Sequence, residues 1–231
     1  MTDVASSNCR IFIVIAAYDE SSTARQVIER LLPVYPSVVV VDDGSTDDTY
    51  QQLEDLDLFL LRHIVNRGQG ASLQTGIRFA LQKGADVIVT FDADGQHQEK
   101  DIRALVEPIL RGDCDVCLGS RFLGSAHNIP LSRRLTLKAG VVFTRVFSGI
   151  RVTDVHNGLR AFSREAAQSI CITMDRMAHA SELLDQLKQK KLRFKEVPVD
   201  VLYSRRSLSK GQSSWNAFKI AFDLLYRKLS E

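Results

Sequence analysis

The chain has 231 residues, of which 45% are hydrophobic and 25% charged, with a formal net charge of +2. Such a composition suits one large globular domain or two small ones; it excludes a disordered chain, and so small a charge does not by itself imply a nucleic-acid partner. Cys9, Cys114, Cys117 and Cys171 make no disulfide framework, MTDVASSNCR lacks the basic and apolar blocks of a secretory signal, and no apolar run reaches the ~18 to 20 residues that span a bilayer, which together point to a reducing, cytosolic setting.

In chain order, residues 11–17 (IFIVIAA), 38–41 (VVVV), 58–61 (LFLL) and 87–91 (VIVTF) are short, almost unbroken apolar runs, the pattern of strands covered on both faces. Helical patterns over 22–32, 46–53 and 71–82 lie between them, the last with Leu73, Ile77, Ala80 and Leu81 on one stripe. The alternation predicts an α/β sandwich on a mostly parallel central sheet flanked by helices, whose ligands sit beyond the carboxyl ends of the strands. A fifth strand is expected around 114–117, where the CxxC has no second Cys or His pair at zinc spacing and reads as strand. Beyond Arg121 the regularity weakens into a helix over 131–147, a strand at 159–162, a helix over 180–189, a strand at 194–202 and a last helix from Trp215. Without repeats, low-complexity tracts or linkers, residues 1–231 read as one domain, with a nucleotide-binding character over about 10–120 and a more individual half over about 121–231.

Three of these strands end on carboxylates: Asp19 and Glu20 after the first, Asp42 and Asp43 after the second, Asp92 and Asp94 after the fourth. A parallel sheet brings them to one edge, where like charges repel and burial raises the penalty unless a cation or a ring of donors compensates. In DGSTDD, a turn followed by a helix cap explains the residues equally well. In DAD one capping carboxylate would be enough, so the second needs another reason. An extended segment would place Asp92, Asp94 and Gln96 on the same side; three oxygen ligands suit a hard divalent ion, Mg²⁺ or Mn²⁺, that bridges to a diphosphate. His97 would then point away, in a positioning or structural role.

Familiar phosphate cradles do not supply that diphosphate site. No GxxxxGK[ST] occurs, which excludes a P-loop NTPase; NRGQGASL holds Gly68 and Gly70 without the third glycine of GxGxxG, and it follows the third strand.

The runs IAAYDE, VVVVDDGSTDDT, NRGQGASLQTGI, VIVTFDADGQHQ, GSRF, DVHNGLRAFSREA and EVPV occur in the order and spacing of family 2 glycosyltransferases. From about residue 10 to 203 the chain resembles that family, most of all its dolichyl-phosphate mannose synthase and polyprenyl-phosphate glycosyltransferase branch. The resemblance implies a GT-A fold and an inverting, metal-dependent transfer of one sugar, of glucose or mannose type, from a UDP- or GDP-sugar to a polyprenyl or dolichyl phosphate. It implies that Tyr18, Glu20 and Asp43 hold base and ribose, with Ala17, Asp42, Gly70 and Ala93 in the same donor set, that Asp92 lies by ribose and diphosphate, and that Asp94 and Gln96 bind the metal. Ala16 stands where the family usually has Pro, and Gln69 where it often has Lys, which takes away a charge the loop would otherwise offer the donor.

Between residues 121 and 151 the chain carries Arg121, Arg133, Arg134, Lys138, Arg145 and Arg151 and no Asp or Glu; YSRRSLSKG adds Arg205, Arg206 and Lys210. One reading is a solvated basic face. The other is a lipid-phosphate site, because GSR follows the fifth strand at the same sheet edge and PLSRRLTLKAGVVF opens a helix whose backbone donors also favour anions. The resemblance assigns Arg121 and one of Arg133 and Arg134, here preferably Arg134, to the acceptor phosphate, with Lys138, Arg205 and Lys210 extending the set. Trp215, Phe218, Phe222, Leu225 and Leu229 share one helical stripe, able to pack on the chain's own core, on a partner or in a bilayer interface. Relatives often continue into transmembrane helices there and this sequence ends, which implies a separate membrane subunit or peripheral attachment at the cytoplasmic face; a homo-oligomer stays open.

A phosphate acceptor is already anionic near neutral pH, so it needs a base less than a sugar hydroxyl does. Asp154 is the candidate for positioning or deprotonation and joins Asp94 and Arg121 in the catalytic set. Glu182 sits where hydroxyl-transferring relatives place their acidic residue, and reads better as a structural carboxylate. His156 is a diphosphate neighbour or a structural residue. The alternatives are transfer to a carbohydrate or protein hydroxyl in polysaccharide synthesis, and a non-catalytic sugar-nucleotide-binding subunit.

Overall fold

The apolar runs fold as strands β1 (Ile11–Ala17), β2 (Val38–Asp42), β3 (Phe59–Arg62) and β4 (Val87–Asp92), followed by β5 (Val116–His127), β6 (Arg160–Ser163) and β7 (Phe194–Leu202) in a computed structural model that describes residues 9–174 and 178–203. They make one sheet in the order β3-β2-β1-β4-β6-β5-β7, parallel throughout except for β6, which runs antiparallel to both neighbours. The helices are α1 (Ala24–Leu31), α2 (Gln69–Gln82), α3 (Lys100–Leu110), α4 (Leu131–Phe147), α5 (Arg164–Ser169) and α6 (Ala178–Gln189).

Alternation along the strands divides the apolar side chains between two faces. Ile13, Ile15, Val38 and Val40 pack with Val27 and Ile28 of α1 and Ile102 and Leu105 of α3. Phe12, Val14, Val39 and Val41 pack with Leu73 and Ile77 of α2 and Leu183 and Leu184 of α6. Each face of the sheet is thus roofed by helices, which is why the strands are apolar on both sides instead of alternating with polar residues.

The helix expected over 46–53 is replaced by turns. Its polar side chains hydrogen-bond elsewhere: Asp47 accepts from the backbone N–H of Thr49 at 3.0 Å and of Ser21 at 3.2 Å, and Thr49 Oγ1 accepts from the Glu20 N–H at 2.8 Å. Such bonds compete with helix formation and tie the loop after β2 to the loop after β1. Helix α3 lies where no helix was expected; Pro108, at its third-last position, leaves the first two turns intact. The short α5, capped by Ser163 Oγ accepting from the Ala166 N–H at 3.1 Å, was likewise not anticipated. Among the described residues, no helix is long and apolar enough to cross a membrane. Arg205, Lys210 and the stripe from Trp215 lie outside the described residues.

Candidate active site

The carboxyl ends of β1, β2 and β4 meet at one edge, with Ala16 in register with Asp92 and Ala17 with Asp42. Chain order reverses about β1, so a crevice opens there, the usual ligand position of an open parallel sheet. Tyr18 is 43% exposed at the rim. Glu20 accepts a hydrogen bond from Thr23 Oγ1 at 2.8 Å. Asp42 is buried, with Oδ1 accepting from the Ser45 N–H at 3.2 Å and Oδ2 lying 3.0 Å from Arg62 Nε. Asp43 is equally buried: it accepts from the N–H groups of Gly68 at 2.7 Å and Arg67 at 3.0 Å, and meets His63 Nδ1 at 2.7 Å. His63 Nε2 continues the chain to Thr75 Oγ1 at 3.0 Å. These two acids therefore shape the crevice wall, Asp43 by fastening the loop that starts α2, while Tyr18 and Glu20 stand at its mouth.

Residues 92 to 96 turn where an extended segment was expected. β4 stops at Asp92, and Gly95 takes a φ of 75°, a left-handed value that few other residues adopt without strain. Asp94 stays beside Asp92 through this turn instead of through strand alternation. Gln96 clasps it, donating from its backbone N at 3.0 Å and from Nε2 at 2.6 Å, which leaves the Gln96 Oε1 as a further oxygen ligand. The same turn swings His97 back, against the expectation that it points away, so that its Nε2 lies 3.1 Å from Asp92 Oδ2. Asp92 Oδ1 accepts from Gln69 Nε2 at 3.0 Å, a neutral contact from the loop that lacks the lysine. Gly158 presses on the same carboxylate so closely that a Cβ there would lie 2.0 Å from Asp92 Oδ2.

The two carboxylates have opposite electrostatics. Burial pushes the Asp92 carboxyl up, but the His97 hydrogen bond and the charge of Arg160 outweigh it and hold Asp92 below the usual carboxylate value. Asp94 is pushed up to about 6 by burial and by the charge of Asp92. An acid raised in this way is short of a compensating cation. Among the described residues no three His, Cys, Asp or Glu side chains form a complete metal cage. Two carboxylates and an amide oxygen make a partial shell, which fits Mg²⁺ or Mn²⁺ taking its remaining ligands from phosphate and water.

GSR was expected to follow the fifth strand, but β5 runs on through it to His127, so Arg121 lies mid-strand, where it faces Asp154. Asp154 Oδ2 accepts from Arg121 Nε at 2.6 Å and from the Arg121 backbone N at 3.1 Å; Nη2 donates to the His156 carbonyl at 3.0 Å, and Nη1 to Tyr203 Oη. Burial works against the Arg121 charge, and Asp154 and Tyr203 more than offset it. Arg133 covers the Tyr203 ring from 5.3 Å, so it too is turned inward. Arg121 also lines a cavity of about 130 Å³ together with Arg134, Phe122, Gly124, Ala126 and Ile129. Of the cations expected at the acceptor, Arg121 and Arg134 are brought to one cavity, and Lys138 is exposed one turn further along α4. Glu182 is tied to the N–H groups of Thr173 at 3.0 Å and Met174 at 2.9 Å.

The family profile described as Glycosyl transferase family 2 matches residues 12–171. The chain belongs to this family. The transferase is 32% identical over 243 residues to a UDP-N-acetylglucosamine–dolichyl-phosphate N-acetylglucosaminyltransferase of Methanococcus voltae, an alignment covering 96% of this chain and 97% of that one. It is 28% identical to an undecaprenyl-phosphate mannosyltransferase of Micrococcus luteus, over 89% of this chain and 88% of that one. Glucosyl-3-phosphoglycerate synthase of Mycobacterium tuberculosis, crystallised with Mn²⁺ and UDP-glucose, superposes with a TM-score of 0.72 at 20% identity, covering 96% of this chain and 79% of that one. The GT-A fold expected from the sequence is borne out by that likeness.

The transferase also has site residues that the sequence reading missed. Arg160, on β6 between β4 and β5, is buried among the charges of Asp92 and Asp154; burial lowers its value to about 10 against the pull of both acids. It bridges the donor and acceptor halves of the edge electrostatically. An arginine in NGLRAF gives no local sign of this, since Asp92 ends a strand about 70 residues earlier in the chain and Asp154 sits in the loop before β6. His63 and Tyr203 were missed for the same reason.

Proposed function

We propose that this glycosyltransferase moves one sugar from a nucleoside-diphosphate donor to a polyprenyl phosphate by inverting displacement, with a divalent cation at the diphosphate. The observation that carries the reading is the pairing of a carboxylate pair at the end of β4 with a cation-lined cavity along the second half of β5 and the start of α4. The relatives named as dolichyl-phosphate and undecaprenyl-phosphate transferases support it, as does Mn²⁺ beside UDP-glucose in the structural neighbour.

In this reading Asp94, Gln96 and Asp92 hold Mg²⁺ or Mn²⁺, which as a Lewis acid would stabilise the departing diphosphate. His97 and Gln69 orient Asp92, and Gly158 leaves room for its carboxylate. Tyr18 and Glu20 receive the nucleoside at the mouth. The acceptor phosphate enters the cavity beside Arg134, whose fork can bind two of its oxygens and align the third on the anomeric carbon. Asp154 holds Arg121 in place, and the anionic acceptor needs no proton removed. Peripheral contact with the membrane follows from so apolar an acceptor.

The test offers UDP- and GDP-sugars with Mg²⁺ or Mn²⁺ and a short polyprenyl phosphate, and identifies the lipid product by mass spectrometry. A metal-dependent glycosyl-phosphoprenol is expected. Product formation on a free sugar hydroxyl alone, or full turnover in EDTA, overturns the reading.

A further inference from the structure

Helix α4 presents an unusual outer face. Leu131, Leu135, Val142 and Val146 are 73%, 60%, 62% and 69% exposed. At about 100° per residue these four fall within roughly 60° of arc, one continuous aliphatic stripe along the helix. Arg134, Lys138 and Arg145, all exposed, fall in the adjoining ~60° and line a single edge of that stripe. The inner face is held by Arg133 over Tyr203 and by Gly140, where an added Cβ would lie 3.1 Å from the His156 ring. A helix on a water-facing surface normally turns polar residues outward; here aliphatic ones are outermost, with cations beside them and no acid anywhere from residue 121 to 151.

We infer that α4 docks the enzyme on an anionic bilayer, its aliphatic stripe lying at the acyl boundary and Arg134, Lys138 and Arg145 at the depth of the headgroup phosphates. Apolar stripe and flanking cations are the two attractions that hold a helix in a membrane interface. The cationic edge fixes the roll of the helix. Arg134 belongs both to that edge and to the cavity it shares with Arg121, so a lipid phosphate at headgroup depth reaches the cavity by sideways movement, its chain remaining in the bilayer. The inference rests on the lipid-acceptor reading for its purpose, but membrane binding is measured without turnover.

The experiment uses the full chain and sedimentation with vesicles of phosphatidylcholine alone or with phosphatidylglycerol. Wild type is expected to bind the anionic vesicles at least tenfold more tightly. Leu135→Glu with Val142→Glu is expected to weaken that binding at least tenfold, and to slow transfer to a long-chain acceptor in vesicles by a similar factor. Transfer to a short, water-soluble polyprenyl phosphate should stay within twofold of wild type. If the glutamate pair does not fold by circular dichroism, Leu135→Ser with Val142→Ser gives the same comparison. Wild-type binding that ignores phosphatidylglycerol, or variants that bind vesicles as wild type does, overturns the inference. So does a variant whose change is a shift from dimer to monomer with vesicle binding intact, since a second copy would then cover the stripe. Failure of wild type to glycosylate either acceptor would count against the proposed function and leave the vesicle result to be judged separately.

Discussion

Replacing Asp154 with asparagine separates the two meanings of that carboxylate, counter-charge and base. Its Oδ2 accepts two hydrogen bonds from Arg121, and the side chains of Asp154 and Arg121 are 1% and 6% exposed. Arg160 is buried within electrostatic range of the same carboxylate. An amide keeps the shape and removes the charge, leaving two buried guanidinium groups with one anion fewer. Removing one partner of a buried ion pair costs about 3 to 5 kcal/mol, out of roughly 5 to 15 kcal/mol for a whole domain. At about 2 to 4 °C per kcal/mol for a chain of this size, Asp154→Asn lowers Tm by roughly 6 to 20 °C. Urea unfolding followed by circular dichroism, with m unchanged, measures the loss directly. Adding Arg121→Met should recover part of it, because the stranded charge leaves with its partner. An Asp154→Asn protein that melts within a degree or two of wild type, yet has lost transfer by orders of magnitude, would refute this account and make Asp154 a base.

Asp94→Ala should abolish metal-dependent transfer while the metal-free protein melts no lower than wild type, because burial and Asp92 already disfavour that carboxylate. Its raised value has a sign that can be checked: between about pH 4 and 6 the folded protein holds a proton the unfolded chain has released, so wild-type stability relative to Asp94→Ala falls as pH rises through that window. A relative rise would contradict the burial. His156 is pushed down to about 4, by burial first and by Arg160 and Arg121 against the pull of Asp154. Its imidazole should show no NMR titration from pH 5.5 to 8, and its burial should cost stability as pH falls from about 6.5 towards 4; an inflection near 6.5 would place it in water. Gly158→Ala should lower kcat at least tenfold with the circular dichroism spectrum retained, since its Cβ must displace the Asp92 carboxylate. Unchanged kinetics would show that Asp92 does not need its present position.

The sheet was legible in the sequence because burial on both faces writes itself as short Val- and Ile-rich runs, and β1 to β4 fall within two residues of where those runs lie. Elements governed by side-chain competition were less so: 46–53 has a helix-like pattern, but Asp47 and Thr49 accept hydrogen bonds from the Ser21 and Glu20 N–H groups of the neighbouring loop. The acidic strand ends were visible too, as carboxylates in excess of what capping needs.

What residue order determined by itself was therefore the parallel sheet, its acidic edge and the family, because periodicity and contiguous motifs are local properties of a chain. Tertiary structure alone decided which acids face the crevice and which face inward. For Asp42 and Asp43 the sequence left turn-and-cap and ligand readings equally open, and only the approach of Arg62, His63 and the Arg67–Gly68 backbone makes that pair part of the wall. Likewise Arg121 meets Asp154 across 33 residues of chain, because a charge removed from water is stable only beside a partner that the fold brings to it.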